Sequence, residues 1–145
     1  MKGLQRLLRL FLCGAAGYAG LEMLWRQRTH WTMALTGGTV FVGLAHIGER
    51  LRGWPLSKRC AAGSVLITTA ELIVGATVNL HYHMQVWDYS REKFHFKGQI
   101  CAKYAALWYV LSAPAMALAA RLSDATKKNR RRHLYPAYNA VKLSA

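Results

Sequence analysis

The sequence predicts an all-α fold, a polytopic membrane protein of four transmembrane helices with a structured loop between the third and the fourth. Three observations lead there. Hydrophobic residues make up 53% of the 145, yet Lys and Arg outnumber Asp and Glu by 20 to 6. The two classes are segregated, with apolar, helix-length segments separated by basic connections. About 20 residues of helix cross a bilayer when terminal Arg and Lys side chains snorkel, and four segments reach that length. A soluble bundle of buried helices is the competing reading, but so short a chain then has little polar surface left. By length the chain is one domain, and the loss of apolar character sets a basic cytoplasmic tail, 123–145, apart from the four-helix membrane domain, 1–122.

The first helix is placed near Leu4–Trp25, where an uncharged run over 10–21 leads into Glu22. The short turn Arg26–His30 makes the next helix an antiparallel neighbour, and Trp25 and Trp31 bracket it as interfacial aromatics do. The second helix covers Trp31–Leu51. His46 and Glu49 form a polar pair near its end, which Arg50 and Arg52 are close enough to neutralise, so a structural role is expected there. Gly53 and Pro55 then break the chain in a plain turn. The third helix is placed at Cys60–Leu80. A long connection from Leu80 to Gly98 follows, and long connections in compact proteins are more often functional than decorative. The fourth helix spans Gln99–Arg121, uncharged over 104–120.

Glycines recur where helices have to approach: Gly14, Gly17 and Gly20 in the first, Gly37, Gly38 and Gly43 in the second, Gly63 and Gly75 in the third. Tight packing is the expected use of all of them. Cys13, Cys60 and Cys101 lack CxxC spacing and read as small packing residues, with neither a disulfide framework nor a metal site expected. No cleavable signal peptide is expected, because the first apolar run lacks a small-residue cleavage site and carries Glu22.

Charge orients these helices. Lys2, Arg6, Arg9, the Arg50–Arg59 loop and everything from Arg121 onward fall on one side, and hold fourteen basic residues. Arg26, Arg28, Arg91, Lys93 and Lys97 fall on the other, with Lys103 just inside the fourth helix. Both termini should therefore be cytoplasmic, in a multi-pass protein of the inner membrane. The run Lys127–Arg132 then lies beside a membrane surface, where anionic headgroups are a simpler partner than nucleic acid.

Two carboxylates carry the chemistry. Glu22 and Glu71 lie inside apolar segments, where an unpaired acid costs at least about 2.5–3.5 kcal/mol. On the third helix Gly63, Glu71, Gly75 and Asn79 recur at multiples of four, a slowly drifting stripe, and Gly14, Tyr18 and Glu22 repeat the step on the first. If the stripes face each other, two acids, an amide and a phenol line one interior cavity. Local pairing or hydration of each acid is the bland alternative, stronger for Glu22 beside Arg26. Lys103 is the expected counter-charge, within reach of Glu71 or Glu22. The segment Trp87-Asp88-Tyr89-Ser90 is either a capped turn with interfacial aromatics or a lid over the cavity. No nucleophile elbow, Walker loop, zinc spacing or dinucleotide fingerprint is present, so no catalytic residue, metal or cofactor is assigned.

Taken together, Gly17-Tyr18-x-x-Leu21-Glu22, Met33-x-x-x-Gly37-Gly38, Glu71-x-x-x-Gly75-x-x-x-Asn79, Val86-Trp87-Asp88-Tyr89-Ser90 and Gly98-Gln99-Ile100-Cys101 are distinctive. They resemble the ABC-transporter type IV (CmpB-like permease) family of small bacterial membrane proteins. The resemblance covers about residues 10–115 and departs at His95, where that family carries Asn. It implies a polytopic permease, and an ATPase subunit as partner by the family label alone, since the chain has no nucleotide-binding module.

Three functional readings remain. In the first, a small transporter or channel-like subunit binds a cation, a proton or a small polar substrate at Glu22 and Glu71. Asn79 and Tyr18 are its neutral ligands and Lys103 its switching partner. Four helices enclose little space, so a homo-oligomer, most simply a twofold dimer, is expected. In the second, Glu71 is the general base of an intramembrane enzyme assisted by Asp88 or His95. In the third, the acids only specify assembly of a scaffold or accessory subunit. The first is preferred.

Overall fold

A computed structural model describes residues 2–134, with side chains for residues 3–124. Four helices dominate it: α1 (Lys2–Arg26), α2 (Trp31–Arg50), α3 (Leu56–Val74) and α4 (Ala102–Leu134). Each begins or ends where the local chemistry requires. His30 caps α2, its Nδ1 accepting from the Thr32 amide at 3.4 Å. Pro55 stands at the N-cap of α3, where a missing amide costs nothing. Helix α3 does not stop at Val74 but widens into a π-helical segment, Gly75–His81. Beyond it the chain turns through a tiny antiparallel hairpin, β1 (His95–Phe96) with β2 (Ile100–Cys101), in the register His95 to Cys101 and Phe96 to Ile100. Its turn holds Lys97 at φ 48° and Gly98 at φ 69°, the left-handed pair a type I′ turn demands.

Helices α1 and α2 approach at backbone distance. A Cβ on Gly14 would lie 2.7 Å from the Gly37 carbonyl oxygen, and one on Gly38 would lie 2.7 Å from the Phe11 ring. Gly63 gives the same closeness between α3 and α4, because a Cβ there would strike Ser112. Gly17 and Gly20 differ from the expectation of tight packing: nothing lies within 4 Å of a Cβ at either. They face outward beside the exposed Leu21 and Leu24. Helix α2 packs on the other three. One core cluster joins Leu44, Cys60, Ile67, Trp108 and Met116, and a second joins Leu10, Phe41, Ala45 and Ala119.

The two ends of the bundle are fastened differently. At the amino-terminal end Arg6 forms an ion pair with Glu49 and donates to Ser123 Oγ at 3.1 Å, tying α1 to α2 and α4. Glu49 thus takes a partner from another helix, beyond the Arg50 and Arg52 that sequence adjacency suggests. At the loop end the helices carry the long connection, residues 82–101.

Among the described residues, three helical stretches are long and apolar enough to cross a membrane: Gly3–Arg26, Leu56–His81 and Ala102–Asp124. Helix α2, at 20 residues, is not among them. Its three threonines and four glycines, together with His46 and Glu49, dilute its apolarity. Helix α4 runs further than the expected Gln99–Arg121. Gln99 belongs to the loop, and the helix continues to Leu134 because Ala, Lys and Arg at 125–132 are good helix formers. The side chains of Lys127–Arg132 and the remainder of the tail, 135–145, lie outside the described residues.

Candidate functional site

At the loop end α1, α4 and the connection enclose a half-open cleft of about 1190 Å³. Helices α1 and α3 do not pack face to face as the stripes read from the sequence would require, but the loop-end members Tyr18, Glu22 and Asn79 all line the cleft. On α3 and its π-helical extension Gly63, Ile67, Glu71, Gly75 and Asn79 are all buried. On α1 Gly14 and Glu22 are buried and Tyr18 is half-buried.

Glu22 is 6% exposed and lines the cleft. Its carboxylate takes Arg26 Nη1 at 3.1 Å, one helical turn away, and Thr29 Oγ1 at 2.8 Å. Arg26 then donates from Nη2 to the Val86 carbonyl at 2.7 Å, so the pair also ties α1 to the loop. Local pairing therefore describes Glu22.

Glu71 is different. It is 3% exposed, lies beneath the cleft rather than in its lining, and is bonded only by neutral donors. Trp108 Nε1 donates to Oε2 at 2.9 Å, and the Tyr89 hydroxyl lies 3.4 Å from Oε1. No basic side chain among the described residues forms an ion pair with it. Tyr89 and Trp108 both line the cleft, so they form the partition between it and the acid. Tyr89 stacks on Tyr104 at 4.5 Å and Trp108 leans on Tyr18 at 6.0 Å, giving the partition four aromatic rings. Burial, reinforced by the Glu71 carboxylate, pushes the Tyr89 phenol up, so its hydroxyl stays a donor. One turn before Glu71, Thr68 Oγ1 is buried without a hydrogen-bond partner among the described residues.

Asn79 lines the cleft, but its polar atoms are committed to the loop. Its Nδ2 donates to the Trp87 carbonyl at 2.9 Å and to Gln99 Oε1 at 2.8 Å, while its Oδ1 accepts from the Val86 amide at 2.8 Å. The π-helical turn permits this. With no side chain at Gly75, Gln99 comes close enough that a Cβ would lie 2.5 Å from its Oε1. The role expected of Asn79, a ligand, becomes that of a clamp. Trp87 is not an interfacial aromatic: it is 2% exposed, and its Nε1 donates to the Gln99 carbonyl at 3.0 Å. Gln99 in turn donates to the Lys97 carbonyl at 3.0 Å.

Asp88 and Ser90 form the capped turn, and Trp87, Asp88, Tyr89, Ser90 and Gln99 all line the cleft, so turn and lid are one object. The Ser90 amide donates to Asp88 Oδ1 at 2.8 Å and the Ser90 hydroxyl bonds the same oxygen. Those bonds hold the Asp88 carboxyl below the usual aspartate range. Three further cleft residues, His83, Gln85 and Lys97, have left-handed backbone (φ 54°, 49° and 48°), the kind of strain that gathers at functional sites.

Lys103 is the clear correction. It is not the counter-charge of Glu22 or Glu71: its Nζ binds Glu92 Oε1 at 2.8 Å on the exposed surface. At 100° per residue it lies about 140° around α4 from Trp108, so it points away from the carboxylate that Trp108 meets. Of the two residues that do hold Glu71, Tyr89 belongs to the loop segment the sequence singles out, whereas Trp108 was missed. Trp108 had a signal, because Tyr104, Trp108, Ser112 and Met116 repeat on α4 the four-residue step of α1 and α3.

An all-helical membrane protein, with buried acids and a loop-covered cleft at one end, is the class this architecture defines. Residues 10–140 match the family described as Putative ABC-transporter type IV, and the chain belongs to that family. It is a transporter-related membrane protein. The match takes in all four helices and reaches beyond the motifs into the basic tail. Searches of curated proteins and of solved structures find no match.

Proposed function

We propose that the chain is a small transporter or channel-like subunit in which Glu71 is the site of a cation or proton reached through the cleft. The observation that carries this reading is a carboxylate 3% exposed, held by two neutral donors and by no cation among the described residues. A carboxylate left so within a membrane helix costs several kcal/mol, unless a proton or cation joins it. The aromatic partition suits a cation, since ring faces attract positive charge. Glu22, already bound to Arg26, acts as the latch between α1 and the loop, and Tyr18 is a neutral neighbour within electrostatic reach of both acids.

In this reading α2 crosses the membrane with its neighbours, because it packs on all three. Both termini are cytoplasmic, the cleft opens on the outer side, and the membrane is the inner one. The outward Gly17 and Gly20 leave a face on which a second copy can close, and an ATPase partner follows from the family label alone.

The test uses the chain reconstituted in liposomes. Trp108 donates to Glu71, so its fluorescence should change as protons, Na⁺ or K⁺ are titrated. That change should vanish in Glu71→Gln, which keeps the shape, while insertion and assembly persist. A response unaltered in Glu71→Gln refutes the reading, and loss of assembly alone would make the acid a purely structural element.

A further inference from the structure

Helices α1 and α4 meet at one end and part at the other. Near the amino terminus Leu10 packs with Ala119, and Arg6 bonds Ser123. Toward the loop the two helices become opposite walls of the cleft, with Leu21 and Leu24 on α1 and Leu107 and Leu111 on α4. Leu24 is 85% exposed and Leu107 42%, so these apolar walls run out to the flank of the bundle. A cleft that served only an aqueous solute would not need an apolar flank.

The rim has the opposite character. Its acids are committed: Glu22 holds Arg26, Asp88 holds Ser90 and Glu92 holds Lys103. Its remaining cations hold none of these acids, and Lys97 lies instead over the Phe96 ring, 5.9 Å from its centroid, which leaves its charge unneutralised. Arg28, Arg91 and Lys97 form no ion pair among the described residues, although Arg91 lies within electrostatic reach of Asp88. The cleft therefore presents spare positive charge above an apolar slot open to the side. A free phosphate would satisfy the rim and leave the slot empty, and a hydrocarbon would do the reverse.

We infer that the cleft is a lateral portal for a bilayer amphiphile with an anionic headgroup. The headgroup lies at Arg28, Arg91 and Lys97, and the apolar chain lies between the leucines of α1 and α4. At about 1190 Å³ the space exceeds that of most small-ligand pockets and holds a headgroup with the first part of a chain. The inference rests on reading the cleft as a ligand site and names the class of ligand.

The experiment places the full chain in phosphatidylcholine nanodiscs carrying a small fraction of brominated phosphatidylglycerol or brominated phosphatidylcholine. Bromine quenches nearby tryptophan, and Trp108, only 9% exposed, reports an occupant of the cleft rather than bulk lipid. Its share of the signal is the difference from Trp108→Phe. Phosphatidylglycerol should be preferred by about fivefold per rim charge, on the order of a hundredfold in all. The Arg28→Gln, Arg91→Gln, Lys97→Gln triple variant should lose that preference. If the triple variant does not fold, each single variant should lose its fivefold. Equal quenching by the two lipids overturns the inference, as does displacement by millimolar inorganic phosphate. A chain that selects phosphatidylglycerol while ignoring protons and cations keeps this inference and loses the cation reading. One that responds to cations without lipid selection loses this inference alone.

Discussion

The two ends of the bundle solve the same problem, a carboxylate among helices, in opposite ways. At the amino-terminal end Glu49 is paired with Arg6, and Leu10, Ala119 and Ser123 beside it are at most 2% exposed. That end is regular helix closed on itself. At the loop end Glu22, Glu71, Asn79 and Gln99 are buried, α3 is unwound to π-helix, and the chain is strained. Every non-glycine residue of positive φ among those described lies at that end. Regular packing holds the protein together at one end, while the other concentrates local costs, the pattern expected when a site is mounted on a stable frame.

The sharpest way to break this contrast is to remove the clamp. Asn79→Ala leaves the Val86 amide, the Trp87 carbonyl and Gln99 Oε1 without their partner. Each buried group so orphaned costs about 1–3 kcal/mol, so a loss of roughly 3 kcal/mol or more is expected. Thermal unfolding in detergent measures the total. Hydrogen exchange locates it, with residues 82–101 losing protection and the Arg6–Glu49 end keeping it. Equal loss at both ends would show that the loop is not a separately held unit.

A smaller effect compares two glycines one turn apart on α1. Gly14→Val drives a side chain into Phe41 and the Gly37 carbonyl, and overpacking of that kind costs about 1–3 kcal/mol. Gly17→Val points into open space and should change monomer stability by less than about 0.5 kcal/mol. The same pair sharpens the question of assembly. Should Gly17→Val disrupt an oligomer on size exclusion while Gly14→Val lowers the melting temperature, the outward glycines belong to a contact between copies.

How much of this was legible depended on whether the cause was local. Four helices followed from apolar length, and the buried stripe on α3 followed from a step of four, because both are properties of a single segment. The acids stood out because a charge inside an apolar run is conspicuous whatever surrounds it. The partner of Glu22 was legible too, since Arg26 lies one turn along the same helix, but that of Glu71 was not. Trp108 and Glu71 are 37 positions apart, and nothing near either one names the other. Lys103 was misplaced because its position along α4 gave its depth in the bundle, while the direction it faces depends on how α4 packs. Asn79 looked like a ligand because the loop that consumes its hydrogen bonds, and the π-helical turn that aims it, have no simple periodic signature. The end of α4 is not legible because the change from apolar to basic marks a change of surroundings, not the end of the helix.

The mildest perturbation titrates the rim without altering its shape. Two bonds from Ser90 hold the Asp88 carboxyl below the usual aspartate range, and the turn they form closes beside Gly98. A group whose value is depressed in the folded state stabilises that state fully above its unfolded value. It loses the contribution as pH falls through the folded one. Between neutral pH and the ordinary aspartate range the turn should therefore stay closed, and on further acidification the Ser90 amide should begin to exchange faster. In Asp88→Asn the side-chain oxygen can still accept both bonds, but the charge that strengthens them is gone and nothing at that position titrates. The variant should exchange somewhat faster at neutral pH and show a flatter acid profile than the parent. Because other carboxylates protonate in both proteins, the measurement is the difference between the two profiles. Parallel profiles would mean that the Ser90 turn is held by the hairpin and Asn79 alone, and that the Asp88 charge is free to serve a ligand at the rim.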